Sequence, residues 1–506
     1  MDTTPLVIGV DSSTTSTKAL VVDATGQVLA QASRPVAMLT PGMDRYEQDP
    51  REWWSSTREA VTDAIGQLDA ADRARIQAMA VTPQRQSFAL VDETGEPIRP
   101  GILWLDGRAS EQVARIGSEE VHRLSGFQPD VTPSIYKIAW LSQHEPDHVA
   151  RATMVASVHC YLTHALTGQW LDSAATADSL GMLDMAALTW SDQLVQAAGL
   201  RREQLPELVP PGEVLAELLP EVAADLGLTG PIPLVACCGD GQAAGLGCGA
   251  VRPDEAYLNM GTAVVAGVHS PEYRTADVYR TDAAGLPGHY VLEVVHNSGA
   301  YLAGWFRSQL GDPAMEGKPD PALDEAAAAV PVGCGGLSVL PYWNAVQSPE
   351  WDPLAKGAIV GLAGSHGRPE IYRAILEGLS VAVARNLVGL QESTGTPLTS
   401  VRVMGGGQRS PLWRQMMADA LGLPLTCCET EEVSALGAAV MAMAHLGVHG
   451  SMAETATAMC HLGEVVQPDL EAHEVYRELA EIQAGLYPAL QETFRRQADF
   501  AQRHGS

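Results

Sequence analysis

The sequence predicts an α/β protein made of two similar domains facing each other across a cleft. Short β-branched runs alternate with longer helical stretches, the pattern of sheets layered with helices. The order hairpin, then strand–glycine turn–helix, occurs twice with different spacing, which makes it an architectural repeat rather than a sequence repeat. A chain of 506 residues also exceeds what one small core supports. The expected division is 1–250 and 251–506.

In the first half, residues 6–10, 19–23 and 28–36 read as successive strands, with Ala24-Thr25-Gly26 as the second turn. Between the first two stands an unbroken polar row, Asp11 to Lys18, expected as the hairpin tip. Residues 51–68 form an amphipathic helix pattern. A strand near 77–82, a hairpin near 87–92 and an Ala/Leu-rich helical region from about 108 to 200 follow. Pro206, Pro210, Pro211 and Gly212 interrupt it; residues 234–249 then give strand, glycine turn and helix. The second half repeats this layout: 256–268 is an apolar run, a Gly-Thr turn and another apolar run, and 401–422 is strand, glycine turn and helix.

Composition narrows the function. With 32 basic and 61 acidic residues the net charge is −29, which argues against nucleic acid as a partner and leaves an anionic ligand to be met by local donors. No apolar run reaches the length of a membrane span. Eight cysteines include two vicinal pairs, Cys237–Cys238 and Cys427–Cys428, and none has C-x-x-C spacing; they read as buried fillers. With no secretory apolar segment near Met1, the reducing cytoplasm is the expected compartment. The sequence does not report the oligomeric state, and a homodimer is one open assembly.

Six segments carry polar groups suited to chemistry, and each also has a plain structural reading. The row Asp11 to Lys18 supplies hydroxyls, turn N–H groups and a lysine for phosphate, with an aspartate for magnesium; a solvated hairpin tip also fits. Asp240, between Gly239 and Gly241, suits a general base or a helix cap. The turns Gly261-Thr262-Ala263 and Gly405-Gly406-Gly407 let backbone donors approach phosphate or adenine, or are ordinary glycine turns. Gln84, Arg85, Gln86, Trp104, Asp106 and Arg108 combine hydrogen-bond partners with an apolar wall, as a sugar needs. Equally, Asp106 and Arg108 pair structurally while Trp104 packs in the core. No G-x-x-x-x-G-K-[ST] loop and no protein-kinase signature occurs.

Six segments in order resemble the FGGY family of carbohydrate kinases over nearly the whole chain. "GVDSSTTSTKAL" resembles that family's first phosphate hairpin, and "YEQDPREWW" (46–54) the acidic-aromatic segment after it. "PSIYKIAWLSQH" (133–144) is similar to the first signature around Lys137 and Trp140, with Thr132 departing at its first position. "GAIVGLAGSHGRPEIYRAILEG" (357–378) carries the second signature; "GGGQRSPLWRQMMADALG" and "EEVSALGAAVMA" (431–442) resemble the nucleotide-side segments.

The resemblance implies the actin/hexokinase/Hsp70 ATPase fold, two ribonuclease-H-like domains around a central cleft, and ATP-dependent phosphorylation of a sugar or polyol hydroxyl. By position Asp240 would be the general base and Asp11 would help place Mg2+. Thr14, Thr15, Lys18, Gly261 and Thr262 would contact phosphates. Gly405, Gly406, Glu431 and Ser434 would hold adenosine, and Gln84, Arg85, Trp104 and Asp106 would lie on the sugar side. The chain is most similar to members acting on D-xylulose, with glycerol, L-ribulose or erythritol as rivals, and a non-catalytic nucleotide-binding protein as a rival of another class. Two segments depart from the D-xylulose pattern: Gln84-Arg85-Gln86 leans toward the Gln-Arg-Glu of glycerol-phosphorylating members, and "PYWNAVQSPEWDP" (341–353) lacks the usual Gly-Glu-Arg.

Overall fold

The computed structural model describes residues 3–312, 315 and 320–504. Its first half is a six-stranded mixed sheet formed by β1 (Leu6–Ser12), β2 (Ser16–Val22), β3 (Val28–Pro35), β4 (Ile76–Pro83), β5 (Val214–Glu217) and β6 (Pro233–Val235). The order is β5-β6-β4-β1-β2-β3. The second half has β7 (Glu255–Met260), β8 (Val264–Ser270), β9 (Arg280–Ala283), β10 (Tyr290–His296), β11 (Ser400–Met404), β12 (Leu425–Cys428) and β13 (Leu462–Val466), ordered β9-β10-β8-β7-β11-β12-β13. Three antiparallel strands joined to two parallel ones therefore recur: β3-β2-β1-β4-β6 in one half and β10-β8-β7-β11-β12 in the other. The fold is that of two ribonuclease-H-like domains of the actin/hexokinase type.

Alternation along β1 explains how the first sheet is covered on both faces. Leu6, Ile8 and Val10 join Trp53, Ala60, Val61 and Ile65 of α1 (Pro50–Gly66) in an outer core, and Val7 faces a second core shared by both halves. Helix α1 starts where the sequence directs it: Asp49 caps it by accepting the Arg51 N–H, and Pro50 occupies the first turn, where its missing N–H costs nothing.

The shared core holds the halves together. It contains α2 (Asp240–Gly247) after β6 and α4 (Val433–His445), the first of two helices between β12 and β13; α4 lies across β1 and β4 of the other half. Gly247 and Gly437 let α2 and α4 cross at backbone distance, since a Cβ on either would collide with the other helix's main chain. Ile8 is fully buried, and truncation of such a residue costs about 2–5 kcal/mol.

Several local expectations are corrected. The polar row is mostly strand: Asp11 pairs with Lys18 and Ser12 with Thr17, leaving Ser13 to Thr15 as the tip. Ladder bonds use the backbone, so polar side chains do not end a strand whose one face still packs. The 87–92 segment supplies the first arm of a hairpin, Phe88–Val91, which returns at Gly101–Ile102; its other edge pairs with Met154–Ser157, which interrupts the expected helical region. Gly405 to Gly407 do not open a helix directly. A 3-10 turn, Gly406–Arg409, intervenes, and Ser410 caps α3 (Pro411–Leu421). Asp240 is not a cap but the first residue of α2; the cap position is Gly239. All eight cysteines are free thiols, with Cys237 and Cys238 Sγ each 3.6 Å from Met441 Sδ. Among the described residues no helix is long and apolar enough to cross a membrane.

Candidate active site

The ends of β1 and β4, the tip of the β1–β2 hairpin and the start of α2 bring the candidate residues into one region. Asp240 leaves the shared core at the first turn of α2, and its Oδ1 accepts the Gly241 N–H at 2.9 Å. Burial pushes its carboxyl up; the Arg85 charge opposes this and Glu293 reinforces it. Asp11, 9 % exposed, is pushed up to about 7, first by burial and then by the charge of Asp240, while Lys18 pulls it down. Its Oδ1 is buried and has no hydrogen-bond partner. An unpartnered carboxylate oxygen beside a second carboxylate suits a divalent cation. Among the described residues no group of three or more His, Cys, Asp or Glu forms a cation cage, so such an ion would rely on phosphate oxygens and water for its other ligands.

The hairpin tip is tied to the residues expected to face a sugar. Trp104 Nε1 donates to Thr14 Oγ1 at 3.0 Å, which donates to Gln84 Oε1 at 3.2 Å, and Gln48 Nε2 donates to the Thr14 carbonyl at 2.6 Å. Gln84 Nε2 in turn donates to Gln48 Oε1 at 3.0 Å, and Trp53 Nε1 donates to the same oxygen at 2.8 Å. Thr14 therefore stands between the two expected ligand regions, while Thr15 is exposed at the tip. Trp104 is half-buried at this junction rather than a core residue. Gln84, Arg85 and Gln86 are buried, and Gln86 sits at φ 57°, an uncommon backbone for a non-glycine residue.

Asp106 corrects the expectation of a free sugar ligand. Its Oδ1 accepts Arg108 Nε at 2.7 Å; its Oδ2 accepts Arg108 Nη2 at 2.7 Å and the Tyr46 N–H at 2.8 Å. The carboxylate is fully buried, so it shapes the loop that carries Trp104. Lys137 holds that loop too: its buried Nζ donates to the Thr132 carbonyl at 2.6 Å and the Trp104 carbonyl at 3.4 Å. Burial pushes Lys137 down to about 7, against the pull of Asp106 and Asp130. Between about pH 7 and 10.5 the unfolded chain thus binds more protons at this site than the folded one, so its contribution to stability rises with pH across that window. The Tm gain from pH 7 to pH 9 is expected to be smaller in Lys137→Met than in the parent; equal gains would refute this assignment.

On the second half, Gly261 and Thr262 form the β7–β8 tip, and their carbonyls accept the N–H groups of Ala300 at 2.8 Å and Gly299 at 2.9 Å. Gly405 has φ +86°, and a Cβ there would collide with Asn259; around Gly406 nothing lies within 4 Å of a Cβ, so the backbone is open to a ligand. Lys18 Nζ is held by Glu432 Oε2 at 2.5 Å, a bond joining the halves, so phosphate contact by Lys18 would displace or share that partner. Glu431 is exposed and pairs with Arg409 at 2.5 Å. It lines, with Glu429, Glu432, His461 and the β2–β3 turn, a cavity of about 460 Å³. Ser434 Oγ donates to the Asp240 carbonyl at 3.2 Å, a contact that supports the start of α2.

Sequence reading missed Asp178 and Asp282, which flank Arg85, and the pair Arg280–Glu293 beyond them. Asp178 falls in a stretch that reads as helix and Asp282 on a short edge strand, and no local spacing links either to Arg85.

Residues 6–247 match the model of the FGGY family of carbohydrate kinases, N-terminal domain, and residues 256–446 that of its C-terminal domain. The chain belongs to the FGGY family of carbohydrate kinases. It is 30% identical over 492 residues to a xylulose kinase of Escherichia coli, covering 96% of this chain and 99% of that one. A gluconokinase of Bacillus subtilis is 27% identical, with 87% of each chain covered. Among solved structures, a xylulose kinase from Rhodospirillum rubrum superposes with a TM-score of 0.87 at 29% identity, over 97% of this chain and 100% of that one. This FGGY protein is a sugar phosphotransferase.

Proposed function

We propose that this kinase transfers the γ-phosphoryl group of ATP to a terminal hydroxyl of a ketopentose, with D-xylulose as the acceptor. The observation that carries the reading is Asp240. Its carboxyl is raised by burial at the first turn of α2, where it can take a proton from an acceptor hydroxyl held by Gln84, Arg85 and Trp104. Thr14, Thr15 and Lys18 on one hairpin, and Gly261 and Thr262 on the other, would bind phosphates; Gly405 and Gly406 would leave room for adenosine. Mg2+, held by Asp11 and phosphate oxygens, would neutralise charge on the transferred group. The two hairpins belong to opposite halves that meet at the α2–α4 core, an arrangement suited to closure that would exclude water from the transfer.

Relatives named for xylulose support the acceptor, and the relative named for gluconate shows that family membership alone does not choose it. The segment Gln84-Arg85-Gln86 favours, as a second reading, a shorter polyol such as glycerol. All eight cysteines being free thiols fits a reducing compartment such as the cytoplasm. Coupled ADP release across pentuloses, hexuloses, pentitols, gluconate and glycerol tests the proposal. D-Xylulose is expected to give the highest kcat/KM. Turnover with glycerol and none with D-xylulose would overturn the acceptor but keep Asp240 as base.

A further inference from the structure

Arg85 stands at the centre of unused polar groups beside the proposed base. Its Nη2 lies 3.1 Å from Asp178 Oδ2 and 2.9 Å from Asp282 Oδ1, with Asp178 from the first half and Asp282 on β9 of the second. The side chain of Arg85 is 5% exposed and both carboxylates are fully buried. Even so, Arg85 Nε, Nη1 and Nη2, Asp178 Oδ1 and both Asp282 oxygens have no aligned hydrogen-bond partner, and neither do Gln86 Nε2 and Gln242 Oε1.

The neighbouring ion pair shows what a satisfied one looks like here. Arg280 Nε donates to Glu293 Oε1 at 2.7 Å, Arg280 Nη2 donates to the same oxygen, and Tyr257 Oη donates to Glu293 Oε2 at 2.7 Å. A buried cluster that existed only for stability would be bonded in this way, because unpaired buried polar groups are destabilising. Beside its two ion pairs the Arg85 cluster instead keeps unused donors, Nε and Nη1, next to unused acceptors, Asp178 Oδ1 and Asp282 Oδ2. A sugar hydroxyl donates one hydrogen bond and accepts others, so vicinal hydroxyls match such alternation. The cluster adjoins the reacting position: a Cβ on Gly239, the residue before Asp240, would stand 2.5 Å from Arg85 Cδ.

We propose that Asp178 and Asp282, with Arg85 between them, bind the acceptor's hydroxyls next to the one that is phosphorylated, and thereby select a neutral polyhydroxy acceptor over an aldonate. The proposal rests on the kinase reading above. Its charge argument is direct: Asp178, Asp240, Asp282 and Glu293 outnumber Arg85 and Arg280, so an acceptor carboxylate would add to an unbalanced negative set. The grip also needs both halves, because Asp282 comes from the second.

The test is steady-state ADP release by the full chain and by Asp178→Asn, Asp282→Asn and the double variant, with D-xylulose, xylitol and gluconate as acceptors. Each single variant is expected to lose at least tenfold in kcat/KM for the neutral acceptor while KM for ATP stays within twofold. The double variant is expected to raise the ratio of gluconate to neutral-acceptor turnover at least tenfold. Kinetics within twofold of the parent, or a parent that prefers gluconate, overturns the inference alone. No ADP release by the parent with any acceptor overturns the kinase reading and this inference with it. If the asparagine variants do not fold, calorimetric titration of the parent decides: gluconate binding as tightly as xylitol overturns the proposal, and at least tenfold weaker binding supports it.

Discussion

Asp240→Asn is expected to lower kcat by about 10²–10⁴-fold, the range supplied by a positioned general base. The asparagine keeps the shape of the side chain and an oxygen for the Gly241 N–H, so the first turn of α2 is preserved. It also removes a charge that burial disfavours, and nothing in the packing of α2 against α4 depends on that charge. Folding and nucleotide affinity should therefore survive while proton removal does not. The check pairs coupled ADP release with the thermal shift induced by ATP. Near-normal turnover would sink the base assignment; loss of the ATP-induced shift together with turnover would place Asp240 in nucleotide binding instead.

Asp11→Asn is expected to separate function from stability. Asp11 is a buried carboxylate with one unpartnered oxygen, acted on by the charge of Asp240. Neutralising it relieves that repulsion and should raise Tm in the absence of nucleotide. The same change removes the carboxylate proposed to hold magnesium, which is expected to cost at least about 10²-fold in turnover, since metal stabilisation of transferring charge is worth several kcal/mol. A melting scan without nucleotide and a magnesium titration of ADP release measure the two effects. A lower Tm with unchanged magnesium dependence would contradict both parts.

The fold was legible because its determinants are local and periodic. The β-branched runs at 6–10 and 19–23 lie on β1 and β2, and the repeated hairpin and strand–glycine–helix order corresponds to the matching sheets of the two halves. Errors arose where hydrogen bonding, not side-chain character, decided the element. The polar row from Asp11 to Lys18 looked like loop, yet its backbone continues the β1–β2 ladder. Met154–Ser157 was hidden in an Ala/Leu-rich stretch because its partner, Phe88–Val91, lies more than sixty residues earlier. No window along the chain holds both.

The α/β class, the twofold plan, the family and a set of polar segments from which the site is drawn are all written in the order of residues along the chain. The tertiary structure decided which of those polar groups remain free. Both oxygens of Asp106 are taken, by Arg108 two residues away and by the Tyr46 N–H, whereas Arg85 meets Asp178 and Asp282 from about ninety and two hundred residues away and is left with unused donors. Ser434, expected with adenosine, supports the Asp240 backbone because α4 crosses α2 at their glycines. The physical reason is the same in each case. A residue's type fixes what bonds it can make, but whether those bonds are already taken depends on neighbours that only folding brings within 3 Å.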